Sequence, residues 1–228
     1  TNLIKSGRDW WGESFDIYST RTFDTKLNNP EPGSITKIKV RVSARSSSNS
    51  SFSLKVNNSN VGSISLGSVS IGDELADFFA DNQQSFSTST PSGNMSLELT
   101  FNKPSSAANG WLDYISVNTR QLLNYKGTQL IFRDLKSKGV GTISKFNIQN
   151  VPSSLIIWDV SNIHYPRRIA NVVNGSTASF TLPTDSLRQF VAFEADKAYS
   201  VSLVGEVVNQ NLHGMPVANM VIVTHPLF

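Results

Sequence analysis

The sequence predicts an all-β protein: two antiparallel β-sandwiches, the first jelly-roll-like and the second smaller and immunoglobulin-like, then one strand of a different kind. Three observations point there. Short segments alternate apolar and polar residues with period two, as half-buried strands do. Gly, Pro, Asn, Asp and Ser punctuate them at the spacing of turns in all-β modules. Helical periodicity is nearly absent: Asp73 to Ala80 (DELADFFA), with Asp73 as N-cap, is the one candidate helix.

Residues 1–119 form the expected first sandwich. Ile35 to Val42 (ITKIKVRV) sets Ile38, Val40 and Val42 on one face, and Ser51 to Val56 (SFSLKV) does the same with Phe52, Leu54 and Val56. Asn57 to Asn60 supplies a turn before Val61 to Leu66 (VGSISL) resumes the sheet. Met95 to Phe101 (MSLELTF) aligns Met95, Leu97, Leu99 and Phe101. Trp111 to Val117 (WLDYISV) is mixed, with Trp111, Asp113, Ile115 and Val117 opposite Leu112, Tyr114 and Ser116.

The second sandwich is expected over residues 120–205. Its strand candidates are Gln129 to Arg133, Ile143 to Ile148, Leu155 to Val160, Arg168 to Asn174, Ala178 to Leu182 and Arg188 to Phe193. Gly139-Val140-Gly141 reads as a hairpin turn, because it lacks the further glycine and the strand-to-helix context of a dinucleotide-binding loop. Residues 206–228 form a linker and then Met220 to Val223, an apolar run that fits a strand buried on both faces. A parallel strand of that kind normally feeds a crossover helix. Here the sequence ends at Phe228, so the strand is expected to be poorly anchored or to use a partner surface.

Composition narrows function. With 39% hydrophobic and 16% charged residues the chain can build cores and is not disordered. No run of about 18 apolar residues is long enough to cross a membrane as a helix. Residues 1–20 lack the layout of a signal peptide, although a leader could already have been removed. Cysteine is absent, which excludes disulfides, thiolate metal sites and a cysteine nucleophile within these residues. The net charge of +3 is scattered rather than gathered in a stripe, so no nucleic-acid partner is expected; Arg41, Arg45, Arg167 and Arg168 read as solvated surface.

No catalytic constellation emerges, and no metal or other cofactor is expected. His164, His213 and His225 lack metal-ligand spacing and read as loop histidines. Asp113, Asp159 and Glu194 lie in or beside strands, but nothing pairs two of them across a scissile bond. Asp159, ahead of Ser161 and Asn162, reads as the cap of a turn. Trp10, Trp11, Trp111 and Tyr114 are the candidate binding residues: they either stack on sugar rings or fill a core or a seam between domains.

Five segments then carry a resemblance. They are Trp11-Gly12-Glu13-Ser14-Phe15, Gly110-Trp111-Leu112-Asp113-Tyr114-Ile115, Trp158-Asp159-Val160, Asn209-Gln210-Asn211-Leu212-His213-Gly214 and Val221-Ile222-Val223-Thr224-His225-Pro226. In this order and spacing the set resembles the region upstream of the peptidase domain in type IX secretion sortases, which belong to the gingipain-type cysteine peptidases. The resemblance implies a bacterial cell-envelope protein whose β domains precede a caspase-like α/β peptidase domain, here truncated after its first strand. Such sortases remove a C-terminal sorting domain from secreted cargo and attach the cargo to surface lipopolysaccharide, by acyl transfer through a cysteine thiolate.

In that family the catalytic residues lie downstream of the Val-Thr-His-Pro strand, so His225 is not the catalytic histidine and none of these residues is catalytic. The implied partners are the downstream peptidase domain, secreted cargo or secretion-system components, and glycan or lipopolysaccharide. A free-standing carbohydrate-binding module and the N-terminal part of a gingipain-like secreted protease are the alternatives.

Overall fold

The computed structural model describes residues 10–73, 75–206, 208, 211–217 and 220. The first eight strands are β1 (Ser14–Phe15), β2 (Thr20–Lys26), β3 (Ile35–Arg45), β4 (Ser50–Val56), β5 (Ser59–Leu66), β6 (Ala80–Ser89), β7 (Asn94–Asn102) and β8 (Asn109–Asn118). They pair as β1-β8-β3-β6 and β2-β7-β4-β5, the two-sheet order of an eight-stranded jelly roll. The alternation works as expected. Ile38, Val40 and Val42, Phe52, Leu54 and Val56, and Met95, Leu97, Leu99 and Phe101 all point between the sheets and are buried.

Three rings anchor that core. Phe15 meets Phe52 edge-on at 5.2 Å, and Phe52 stacks on Phe101 at 4.7 Å. Gly110 makes room for the pair: a Cβ there would lie 2.7 Å from the Phe52 ring, closer than packed atoms tolerate. Asn57 and Asn58 close the β4–β5 hairpin at φ 46° and 66°, the two left-handed residues of a type I′ turn, which suits the twist of the strands it joins.

Among the described residues of this stretch, Asp73 and 75–80, none is helical. Asp73 does cap, but its Oδ1 accepts from the Leu75 amide at 3.0 Å in a local turn, and β6 already starts at Ala80. The rings explain the departure. Phe78 lies against the Arg45 guanidinium (4.1 Å) and Phe79 against Trp11 (5.3 Å), so the segment spreads along the sheet instead of coiling.

The second unit has its own core. Its strands are β9 (Leu130–Arg133), β10 (Ile143–Gln149), β11 (Leu155–Asp159), β12 (Arg167–Ile169), β13 (Val172–Asn174), β14 (Thr177–Pro183) and β15 (Gln189–Glu194). They form β10-β14-β13 and β12-β11-β15-β9 around Phe132, Phe146, Phe180 and Phe190, whose centroids lie 5.1–6.3 Å apart. The pairing is immunoglobulin-like, except that the edge place usually taken by the last strand is held by the first, β9.

Two expectations change here. Arg168 to Asn174 is not one strand: Ala170 and Asn171 leave the ladder, and β12 and β13 then pair in different sheets. Gly139 to Gly141 joins no paired strands either. The turn, closed by the Thr142 amide on the Gly139 carbonyl at 3.1 Å with Gly141 at φ +71°, carries the chain from the β9 sheet to the β10 sheet. Asp185 holds it by accepting from the Gly141 amide at 2.7 Å.

Residues 120–125 bond to both units. The Leu122 amide donates to Asn29 O (2.8 Å) and the Glu31 amide to Arg120 O (3.0 Å). On the other side the Tyr125 amide donates to Gln149 O, and the Gln149 amide to Leu123 O, both at 2.9 Å. Arg120 bridges the two with ion pairs to Glu31 and Asp134, each 2.9 Å. A connection bonded on both flanks is a strut rather than a flexible linker.

The expected strand Met220 to Val223 lies, beyond Met220, outside the described residues. Among those described after residue 198, Tyr199, Val201, Leu203, Val204, Val208, Met215, Val217 and Met220 are exposed.

Candidate functional site

The outer face of the β1-β8-β3-β6 sheet gathers three of the four candidate binding residues, and a β-bulge is the reason. Arg41 pairs with Tyr114 and Val42 with Leu112, leaving Asp113 as the extra residue on β8. Gly110 and Leu112 therefore point inward before the bulge, and Ile115 and Val117 turn to the core after it. Trp111, Asp113 and Tyr114 are left on the outside, which accounts for the irregular pattern of this strand in the sequence.

Arg41 is the hub of that face. Its guanidinium bonds Asp81 on β6 (Nε 3.1 Å, Nη2 3.0 Å) and Asp113 on β8 (Nη1 3.0 Å), tying three adjacent strands together. It also lies 5.1 Å from the centroid of Trp11, a cation–π contact. Tyr114 donates its hydroxyl to Gln83 of β6.

Trp11 is only 3% exposed, with its enclosed Nε1 lacking an acceptor among the described residues, whereas Trp10 is 55% exposed and Trp111 half-buried. Ser43 of β3 alternates outward yet is fully buried, so the segments bearing Trp11 and Phe79 roof this end of the sheet. The ring that would centre a stacking platform is thus built into the protein. Backbone bonds fix it: the Gly12 amide donates to Leu112 O at 2.9 Å and the Leu112 amide to Glu13 O at 3.0 Å.

The other candidates are dispersed. Asp113 serves Arg41. Asp159 caps its turn as the sequence suggested, accepting from the Ser161 amide at 2.9 Å, and also pairs with Arg188. Glu194 accepts from the buried Tyr125 hydroxyl at 3.2 Å; burial, then this carboxylate, raises the tyrosine pKa above its ordinary 10.0. His164 is exposed on a turn and His213 in a short 3-10 helix, Leu212–Gly214, and His225 lies outside the described residues. Among the described residues no three His, Cys, Asp or Glu side chains group as a metal site.

One surface escaped the sequence reading. On the β12-β11-β15-β9 sheet, Arg168, Trp158, Val191 and Ile131 stand in register across four strands, with Ile156 and Phe193 in the adjacent row. Their strand neighbours Ile157, Phe190 and Phe132 fill the core, so this row faces outward. Ile131 is 59% exposed and Ile156, Trp158, Val191 and Phe193 are half-buried. The signal was the unbroken apolar run Leu155 to Trp158, which gives β11 two apolar faces.

No protein-family model matches the chain, and none of the curated proteins matches it. Among solved structures, dimeric latent PorU from Porphyromonas gingivalis superposes with a TM-score of 0.76 over 93% of this chain, at 24% identity. The fold is PorU-like. This chain spans about a fifth of the PorU chain, 21% of its length. Two further likenesses are slight. The carbohydrate-binding module CBM36 in complex with calcium and xylotriose has a TM-score of 0.30 at 12% identity, over 47% of this chain and 89% of the module. A Paenibacillus cycloisomaltooligosaccharide glucanotransferase complexed with cycloisomaltoheptaose has 0.29 at 10% identity, over 76% of this chain and 40% of that one. The PorU superposition takes in both sandwiches.

Proposed function

We propose that this chain is the noncatalytic N-terminal portion of a sortase-like cysteine peptidase that processes and surface-attaches type IX-secreted proteins at the bacterial cell envelope. Its β domains brace the following peptidase domain and position cargo. The observation that carries this reading is the PorU-like arrangement of both sandwiches across 93% of the chain.

Two features support a bracing role. The strut of residues 120–125, bonded to both sandwiches, lets them bear on a partner as one body. The apolar outer row of the second sandwich offers the kind of surface that marks a protein contact. The peptidase domain is its occupant in this reading, because the chain leaves the second sandwich from β15, a strand of that same sheet. Lipopolysaccharide and secretion-system components would be met by the assembled protein rather than by this part alone.

The test has two arms. Purified residues 1–228 should turn over no peptide. Deleting codons 1–205 from the gene, with its remaining frame intact, should leave type IX cargo carrying an uncleaved C-terminal sorting domain, seen as a larger band on immunoblots. Normal cargo processing in the deletion strain would overturn the proposal.

A further inference from the structure

A cleft opens at one end of the second sandwich, away from its apolar outer row. It has a volume of about 570 Å³ and is lined by Asp159, Ser161, Asn162, Tyr165, Arg167 and Arg188 over a floor that includes Ile169 and Leu182. That volume is within the ordinary range for small-molecule sites. The lining combines cations, hydroxyls and a ring.

The cleft contains one acid, and it is already engaged. Asp159 Oδ1 accepts from the Ser161 amide and hydroxyl, and Oδ2 from Arg188 Nη1 at 3.3 Å. Arg188 is under-used in return. Among the described residues that 3.3 Å bond is its one ion pair, and its enclosed Nε has no acceptor there. An arginine carries five donors in a planar fork, and enclosed donors left unpaired are costly.

Arg167 is a second cation at the same mouth. It lies directly across the strand pair from Asp159, is exposed, and makes no ion pair among the described residues. With Asp159 neutralised by Arg188, the charge of Arg167 is uncompensated. Beside it the Tyr165 ring is 72% exposed, and the Asn162 side chain, which accepts from the His164 amide through Oδ1, keeps its NH₂ available.

We propose that this cleft binds an oxyanion group, carboxylate or phosphate, on a ring-sized polar ligand such as an acidic or phosphorylated sugar. Arg167 and the free edge of Arg188 hold the oxyanion, as guanidinium forks do. Tyr165 supplies a face for the ring. The proposal does not depend on the peptidase context, since every group it uses lies within the second sandwich.

The neighbouring arginine provides an internal control. Arg168 has the same charge one residue on but faces the opposite side of the sheet, in the row with Trp158. The experiment is an amide and arginine side-chain NMR titration of residues 1–228 at fixed ionic strength, with sodium glucuronate, inorganic phosphate and glucose as probes. Saturable shifts around Ser161, Tyr165 and Arg167 are expected with glucuronate or phosphate, and the tighter of the two identifies the oxyanion. Arg167→Ala and the polar but uncharged Arg167→Gln should each weaken binding about tenfold, and Arg168→Ala by less than about twofold. No saturation by about 50 mM of either anion would overturn the proposal, a concentration well beyond a millimolar dissociation constant. Glucose binding as tightly as glucuronate, or equal losses in the Arg167 and Arg168 variants, would overturn it as well.

Discussion

The outer faces of the two sandwiches are opposites. On the first, the β1-β8-β3-β6 sheet presents Arg41 between Asp81 and Asp113, and the segments around Trp11 and Phe79 cover its end. On the second, the β12-β11-β15-β9 sheet presents Ile131, Ile156, Trp158, Val191 and Phe193 in two adjacent rows. The first face is completed by its own chain. The second carries apolar side chains on the side of the sheet away from its core. Trp11, the most enclosed of the four candidate rings, lies under the roof of the first face, while Ile131 of the second is exposed and its row neighbours are half-buried.

The largest expected effect tests whether the second sandwich stands on its own core. Phe190 is fully buried and touches Phe132, Phe146 and Phe180. Phe190→Ala should cost about 3–5 kcal/mol in urea unfolding of the second sandwich. Residue-resolved hydrogen exchange should leave β3, β4 and β7 protected in that variant. Loss of protection throughout the first sandwich would mean the two cores are one cooperative unit, and the comparison between them would collapse.

A smaller effect is expected on the finished face. Arg41 is partly exposed, so its ion pairs are screened, and Arg41→Ala should cost only about 1 kcal/mol. Its sharper readout is the roof. Acrylamide quenching of the Trp11 contribution, isolated by Trp→Phe replacement of the other three tryptophans, should rise in the variant. Unchanged quenching would show that Arg41 does not hold Trp11 down.

Much of the fold was legible because its signals are local. Period-two alternation in β3, β4 and β7 is written in consecutive residues, and Asn57-Asn58 encodes its own turn. What was not legible depends on partners distant in sequence. DELADFFA has helical composition, but Phe79 is claimed by Trp11, some 70 positions away. The bulge at Asp113 follows from pairing with Arg41 and Val42, which a reading of β8 alone does not contain. The same holds for the site. Trp11, Trp111 and Tyr114 stand out by residue type, and only the assembled sheet separates the buried Trp11 from the half-buried Trp111 and Tyr114. Arg167 looked like scattered surface charge until its place across from Asp159 put it at a cleft.

The central claim is that the apolar row of the second sandwich exists for a partner. Ile131 is its most exposed member and sits on the edge strand β9, where lysine is readily tolerated. The most direct measurement is type IX cargo processing in cells whose gene carries Ile131→Lys, alongside urea unfolding of the same variant of residues 1–228. The account predicts unfolding within about 0.5 kcal/mol of the parent chain, together with cargo that keeps its C-terminal sorting domain. Unchanged stability with fully normal processing would contradict it.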